Sequence, residues 1–121
     1  MRGLVASSEA NELQVRDVFT QATLNTLAKI IASETYNAKG FYQMDAGVAI
    51  VEFEKAIMLM PDNAYAILNH GKANSDKGNL DAAIADYDKV IAIEPSWSLP
   101  YNNRGFTRLK KEEFDAAIVD L

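Results

Sequence analysis

The feature that most constrains this chain is an internal repeat with a fixed period. The block Asp-Ala-Ala-Ile begins at Asp81 and again at Asp115, so the interval, 115 minus 81, is thirty-four positions. The same shift aligns further positions of matching character: Pro61 with Pro95, Lys55 with Lys89, Gly71 with Gly105, Phe53 with Tyr87 and Leu121, and Ala49 with Ala83 and Ala117. A period of this size is typical of repeat architectures, so the pattern predicts stacked copies of one small unit.

Each unit is predicted to contain two α-helices. Residues 64–76 contain no proline, and Asp62 or Asn63 can cap this helix by accepting hydrogen bonds from its free N–H groups. Gly78 and Asn79 indicate a turn. Residues 81–93 then carry apolar side chains at helical spacing, and a proline two residues later prevents the helix from continuing.

Small residues are expected to set the distance between the two helices of a unit. Antiparallel helices approach to about 8–10 Å where the contact side chains are small. We therefore expect Gly71 to face Ala83 inside one hairpin, with Tyr87 and Val90 filling the space against the next unit.

These segments together resemble the tetratricopeptide-repeat family. The resemblance rests on Tyr36-Asn37-Ala38-Lys39-Gly40 and Tyr101-Asn102-Asn103-Arg104-Gly105 in first helices, and on AIVEFEKAIMLMP, AIADYDKVIAIEP and AIVDL in second helices. It implies an all-α, right-handed superhelical solenoid of stacked antiparallel helix hairpins, with about three repeats and an N-terminal helical extension.

The predicted organisation divides the chain into two parts. Residues 1–32 form the extension, and residues 33–121 form the repeats: about 33–63 shortened, 64–97 full and 98–121 incomplete. The first repeat is shortened because Gly40 and Ala49 are nine positions apart, whereas Gly71 and Ala83 are twelve apart. Its first helix or its turn must therefore be shorter. The last repeat ends within its second helix, which suggests a fragment or completion by a partner, because terminal repeats need a polar cap.

The N-terminal segment is predicted to form one or two amphipathic helices from about Glu9 onward. Its apolar residues recur at helical spacing: Val15, Val18, Phe19, Ala22, Leu27, Ile30 and Ile31. A cap for the repeats is favoured over a degenerate preceding repeat or a dimerisation helix.

Composition and charge exclude several function classes. The chain has no cysteine, so disulfides, thiolate metal sites and cysteine nucleophiles are excluded. Its net charge of -5 argues against nucleic acid as a partner, and no segment is apolar enough for membrane insertion. We expect a soluble chain, with a cytoplasmic location favoured although the sequence leaves the compartment open.

No residue pattern predicts catalysis, a metal site or a cofactor. His70, the single histidine, occupies the helix position that Arg104 takes in the next repeat, and the chain offers no second histidine or cysteine to complete a zinc site or a nucleophile–base pair. The glycines lie inside predicted helices and not in phosphate-binding loops. We therefore expect a chain that is not an enzyme.

The resemblance also implies a binding groove, because first helices line the concave face of such a solenoid. Carried over by position, the groove residues are Asn37, Phe41, Tyr65, Leu68, Asn69, Lys72, Asn102, Asn103, Phe106, Leu109 and Lys110, with Ser75, Asp76 and Leu99 on the same surface. The asparagines suit the backbone of an extended peptide because an amide both donates and accepts hydrogen bonds. Some members of the family clamp a C-terminal carboxylate, but Leu99 and Asn103 replace two basic residues of that clamp, so this binding mode is not expected.

The predicted function is a protein-protein interaction module or scaffold that binds a peptide or partner helix in the groove. One alternative is self-assembly into a homo-oligomer through exposed terminal helices, above all the C-terminal edge, where Ala117, Ile118 and Leu121 are expected to be partly exposed. Another alternative is a regulatory fragment of a larger protein.

Overall fold

The chain folds into α-helices connected by short turns. A computed structural model describes the backbone of residues 2–121 and the side chains of residues 8–121. Within that range the helices are α1 (Arg2–Phe41), α2 (Ala46–Leu59), α3 (Ala64–Lys77), α4 (Leu80–Ile93), α5 (Ser98–Lys110) and α6 (Phe114–Asp120). The predicted all-α class is confirmed.

The helices pair into three stacked hairpins. Helix α1 packs on α2, α3 on α4, and α5 on α6, while α2 contacts α3 and α4 contacts α5 to join successive hairpins. The first helices of the hairpins are also neighbours, since α1 contacts α3 and α3 contacts α5. This arrangement is the predicted helical solenoid, and it places α1, α3 and α5 along one surface.

The ends of α3 follow the sequence signals. Asn63, one of the two residues predicted to cap this helix, is the N-cap, and its side-chain oxygen accepts a hydrogen bond from the backbone N–H of Ala66 at 3.1 Å. At the other end Gly78 has a φ of 93°, in the left-handed region that favours glycine. The backbone N–H of Asn79 then donates to the carbonyl of Asn74 at 2.8 Å, which closes the turn.

The central hairpin packs around an aromatic ring. Its core consists of Ile67, Leu68, Ala83, Tyr87 and Val90. A β-carbon at Gly71 would lie 2.8 Å from Cε1 of Tyr87 and 3.1 Å from Cβ of Asp86, so the glycine lies against the ring, and the fully buried Ala83 belongs to the same core cluster. The glycine leaves room for a large side chain of its own hairpin, while the hydroxyl of Tyr87 faces Thr107 in the next hairpin.

Helix α1 is one continuous helix that crosses the predicted boundary at residue 32 without a break. Its side chains at positions 8–31 are all exposed, whereas Ser33 and Gly40 are buried against the hairpin stack. The shortening of the first repeat falls at the end of this helix. Helix α1 stops at Phe41, one residue after Gly40, whereas α3 continues to Lys77, six residues after Gly71.

Candidate functional site

The predicted groove residues lie on the neighbouring helices α1, α3 and α5, and most of them are accessible. Phe41, Tyr65, Lys72, Asn102, Phe106 and Lys110 are exposed, and Asn37, Asn69, Asn103 and Leu109 are partly buried. The surface therefore combines exposed aromatic rings with polar side chains, as binding surfaces for peptides do.

Leu68 and Ser75 are the exceptions. The Leu68 side chain is only 5% exposed and belongs to the core cluster of the central hairpin, so it cannot supply open contact area to a ligand, and Ser75 is only 7% exposed. The family position placed Leu68 on the groove, but α4 covers it here through Tyr87 and its neighbours.

Two predicted residues are joined across the groove by a hydrogen bond. Nδ2 of Asn69 in α3 donates to Oδ1 of Asn37 in α1 at 2.9 Å. Among the described residues this bond leaves the Asn37 amide donor and the Asn69 carbonyl oxygen available. One free donor and one free acceptor, side by side, match the backbone of an extended peptide.

The next pair of first helices is joined by hydroxyl groups. Oγ of Ser75 lies 3.1 Å from Oγ1 of Thr107, and Nζ of Lys110 donates to the same Ser75 oxygen at 3.2 Å. Thr107 was not among the predicted residues, because its buried position in α5 depends on the packing of α5 against α3. These contacts close the gap between α3 and α5.

Sequence reasoning also missed an aromatic pair at the edge of the predicted groove. The rings of Tyr65 and Trp97 have their centroids 4.9 Å apart with an interplanar angle of 58°. Trp97 precedes α5 and packs against the core cluster of the central hairpin. The pair holds Tyr65 in place, since tilted aromatic contacts of this separation are favourable.

A cavity of about 240 Å³ opens between α1, α2 and α3. It brings together the predicted residues Phe41, Asn69 and Lys72, together with Gly40, Gln43, Met44, Ala46, Ala49, Phe53, Ala73 and Asp76. The predicted residues of α5 do not line it. The cavity therefore lies at the α1 and α3 part of the predicted groove surface.

His70 lies on another side of the hairpin, in a cluster of ionisable groups. Its Nδ1 is 2.5 Å from Oδ2 of Asp86 in α4, and its Nε2 is 3.3 Å from Oε1 of Glu54 in α2. The hydrogen bond to Asp86 raises the pKa of His70 above 6.5, and burial of the ring opposes part of this rise.

Arg104, which occupies the same helix position one full period later, repeats this arrangement. Its Nη2 lies 2.6 Å from Oδ1 of Asp120 in α6, and its Nη1 lies 2.8 Å from Oδ1 of Asp88 in α4. Asp86 and Asp120 are one period apart, and so are Glu54 and Asp88. His70 in α3 and Arg104 in α5 thus each connect their own second helix to the preceding one, which is a structural role.

The basic cluster near the C-terminus is engaged in ion pairs. Arg108 contacts Asp120 at 2.6 Å, and Lys111 contacts Asp81 at 2.5 Å and Glu113 at 3.0 Å. Within the part of the chain that the structure describes, there is no group of three or more histidine, aspartate or glutamate side chains that could hold a metal ion. No helix in that part combines the length and apolar character needed to cross a membrane.

Comparison with known proteins agrees with this geometry. The sequence model described as "Tetratricopeptide repeat" matches residues 64–96, which are α3, α4 and the adjoining turn. No curated protein matches the sequence. The fold defines an all-α helical-repeat scaffold, and residues 64–96 of the chain match the tetratricopeptide repeat, as the resemblance predicted.

Several solved structures are similar. The crystal structure of MamA is 28% identical with a TM-score of 0.69 over 74% of this chain, and the match spans about half (54%) of the MamA chain. The Arabidopsis OM64 TPR domain is 24% identical with a TM-score of 0.73, over 76% of this chain and 78% of that domain. The first TPR of Spaghetti (RPAP3), solved with HSP90 peptide SRMEEVD, is 22% identical with a TM-score of 0.72, over 75% of each chain.

Proposed function

We propose that this protein is a non-enzymatic interaction module that binds an extended peptide segment, or a helix of a partner protein, on the surface of α1, α3 and α5. The observation that carries the proposal is the Asn37–Asn69 pair, whose unused donor and acceptor lie on a surface with exposed aromatic side chains. Stacked helical repeats present such surfaces in a preformed state, which lowers the ordering cost of binding.

Aromatic and polar residues have distinct roles in this proposal. Phe41, Tyr65 and Phe106 supply apolar contact, because each ring is more than half exposed and loses contact with water when a ligand covers it. Asn37 and Asn69 hold the peptide backbone through hydrogen bonds. Asn102 and Asn103 extend the polar surface onto α5.

A peptide ligand is consistent with the solved neighbours, although this chain has its own set of groove residues. The first TPR of Spaghetti (RPAP3) is bound to HSP90 peptide SRMEEVD. In this chain Leu99 and Asn103 occupy the positions where a carboxylate clamp has basic residues. We therefore propose recognition of the peptide backbone and of apolar side chains, without capture of a terminal carboxylate.

The test is an affinity pull-down from source-cell lysate with the full chain. The variant combines Asn69→Ala, Asn102→Ala and Phe106→Ala. The control combines Lys89→Ala, Ile93→Ala and Asp115→Ala on exposed positions of α4 and α6. Both variants must keep the helical circular dichroism spectrum. We expect one protein to be retained by the wild type and the control and lost with the groove variant.

The opposite result would reject the proposal that binding takes place in the groove. If the groove variant retains the same proteins as the wild type, binding takes place elsewhere, and the exposed α1 extension and the C-terminal edge become the candidates.

Self-assembly is the second candidate function, favoured by a specific observation. Ile118 and Leu121 of the C-terminal edge are more than half exposed, and Phe19 of α1 is 75% exposed. Sedimentation at a series of concentrations distinguishes the candidates, because self-assembly raises the sedimentation coefficient with concentration and a monomeric receptor keeps it constant.

A further inference from the structure

The cavity between α1, α2 and α3 results from the short first hairpin. Helix α3 extends six residues beyond Gly71, but α1 extends only one residue beyond Gly40. More than a turn of the first helix is therefore missing next to the C-terminal half of α3. The side chains that such a turn would cover, those of Lys72, Ala73 and Asp76, line the open cavity instead.

The other side of α3 shows what a full-length neighbour does. Helix α5 extends to Lys110, and its Thr107 and Lys110 cover Ser75 through contacts of 3.1 Å and 3.2 Å. The same stretch of α3 is thus closed on the α5 side and open on the α1 side. The opening therefore lies on the side of α3 where the repeat is shortened.

The floor of the cavity is apolar and its rim is accessible. Ala49, Phe53 and Ala73 form a packed cluster at the bottom. Phe41 is 63% exposed at the rim, and Met44 is fully exposed beside it. Flexible methionine and aromatic side chains adapt to an inserted apolar group, and they lose contact with water when one is bound.

The polar part of the cavity lining favours a negatively charged group of a ligand at Lys72. Lys72 makes no ion pair with any residue that the structure describes, so its ammonium group is available to a ligand. Asp76, one turn further along α3, also lines the cavity and disfavours a second acidic group at that end. Asn69 connects the cavity to the Asn37–Asn69 pair of the groove.

We propose that this cavity is a specificity pocket that takes one apolar side chain of the bound peptide, of leucine, methionine or phenylalanine size, with an acidic residue of the peptide next to it at Lys72. The inference rests on the proposed peptide-binding function and states which peptide is selected. The volume is sufficient, because a buried apolar cavity of about 150 Å³ already holds benzene.

The test selects peptides from a phage-displayed random library on the full chain. We expect an enriched consensus with one large apolar residue next to Asp or Glu. A synthetic peptide of that consensus should bind roughly tenfold more weakly when its apolar residue is replaced by alanine, because a shape-matched pocket discriminates by about this factor per lost group. Lys72→Glu should weaken the binding of the same peptide and remove the preference for the acidic residue.

Variants that fill the cavity give the decisive comparison. Ala46→Leu places a larger side chain at the rim, and Ala73→Leu places one at the floor, where it also tests the packed cluster. Ala85→Leu is the matched control, because it adds the same atoms at an exposed position of α4. Both filled variants should bind the consensus peptide about tenfold more weakly, with the control within twofold of the wild type.

The outcomes separate the pocket from the groove. If selected peptides lose binding with the Asn69→Ala, Asn102→Ala, Phe106→Ala variant but bind Ala46→Leu as tightly as the wild type, the pocket is rejected and the groove stands. If no peptide is enriched, or the enriched peptides ignore the groove variant, the proposed function and the pocket are both rejected. Circular dichroism verifies that each variant remains helical.

Discussion

His70 shows how one residue type changes a repeated contact. Arg104 occupies the same place in the next repeat and remains charged throughout the accessible pH range, whereas a histidine loses its charge near neutral pH. Both cations contact a carboxylate of their own second helix and one of the preceding second helix. The contact between the first two hairpins is therefore the titratable one.

We predict that stability falls as His70 loses its proton. The hydrogen bond to Asp86 raises the folded-state pKa of His70 above 6.5, and Glu54 adds to the rise. Lys89 of α4 lines the same surface pocket as His70. A raised pKa contributes stability that is complete below the unfolded-state value of about 6.5 and is lost as the pH rises through the folded-state value. The loss should be about 1 kcal/mol or less, because water screens the partly exposed ring.

Urea unfolding between pH 5 and pH 9, followed by circular dichroism, measures this effect. In a plot of the free energy of unfolding against pH, His70→Gln should flatten the part above pH 6, because glutamine does not titrate. His70→Arg should flatten it as well, because arginine keeps its charge over this range. A wild-type profile with the same shape as that of His70→Gln would contradict the prediction.

At the scale of the helix hairpin, glycine sets how closely two helices approach. A β-carbon at Gly40 would lie 2.6 Å from the ring of Phe53, and one at Gly105 would lie 2.8 Å from the side chain of Leu121. Gly71 meets Tyr87 in the same way. The three hairpins therefore share one contact, in which a glycine backbone of the first helix receives a large side chain from the second helix or, for Leu121, from the residue directly after it.

We predict that Gly71→Ala lowers the free energy of unfolding by about 1 to 3 kcal/mol, because the added methyl group displaces the packed Tyr87 ring. Helix propensity alone predicts the opposite sign, a gain of about 1 kcal/mol. Urea denaturation measures the difference. Gly47→Ala is the control, since its nearest neighbour is a side-chain oxygen of Asp45 at 3.1 Å, and we expect a smaller change there. A Gly71→Ala protein as stable as the wild type would show that the hairpin can open to accommodate the methyl group.

At the scale of the whole molecule, the long α1 helix contributes two different parts. Its C-terminal end is packed in the hairpin stack, where Ser33 donates to the carbonyl of Ala56 at 2.8 Å and accepts a hydrogen bond from Asn63 at 2.9 Å. Its side chains at positions 8–31 are all exposed to solvent. Because an α-helix has about 3.6 residues per turn, Val15 stands five whole turns before Ser33 and lies on the same side of the helix as its packed end.

We predict that removal of residues 1–22 leaves the repeats folded, because the exposed part of α1 adds little buried surface to the stack. The midpoint of thermal unfolding, followed by circular dichroism, should change by less than about 4 °C. A much larger decrease would indicate that the N-terminal segment acts as a cap for the repeats, which is the role favoured by its sequence.

The amino-acid sequence by itself determined the repeat unit and most of its signals. The repeat period, a cap at Asp62 or Asn63, the turn at Gly78 and the shared position of His70 and Arg104 all correspond to the structure. These features depend on local backbone preferences and on spacing along one helix, both of which can be read from neighbouring residues. The shortening between Gly40 and Ala49 was also visible as a count.

Only the tertiary structure decided which side chains these elements leave open. Leu68 is buried although its repeat position predicted a groove contact, and the ring of Tyr87 packs against Gly71. The shortened first repeat leaves a cavity because α1 ends early and does not cover Lys72 and Ala73 of α3. Accessibility and cavities depend on how separate helices pack in three dimensions, and no spacing within one helix contains that information.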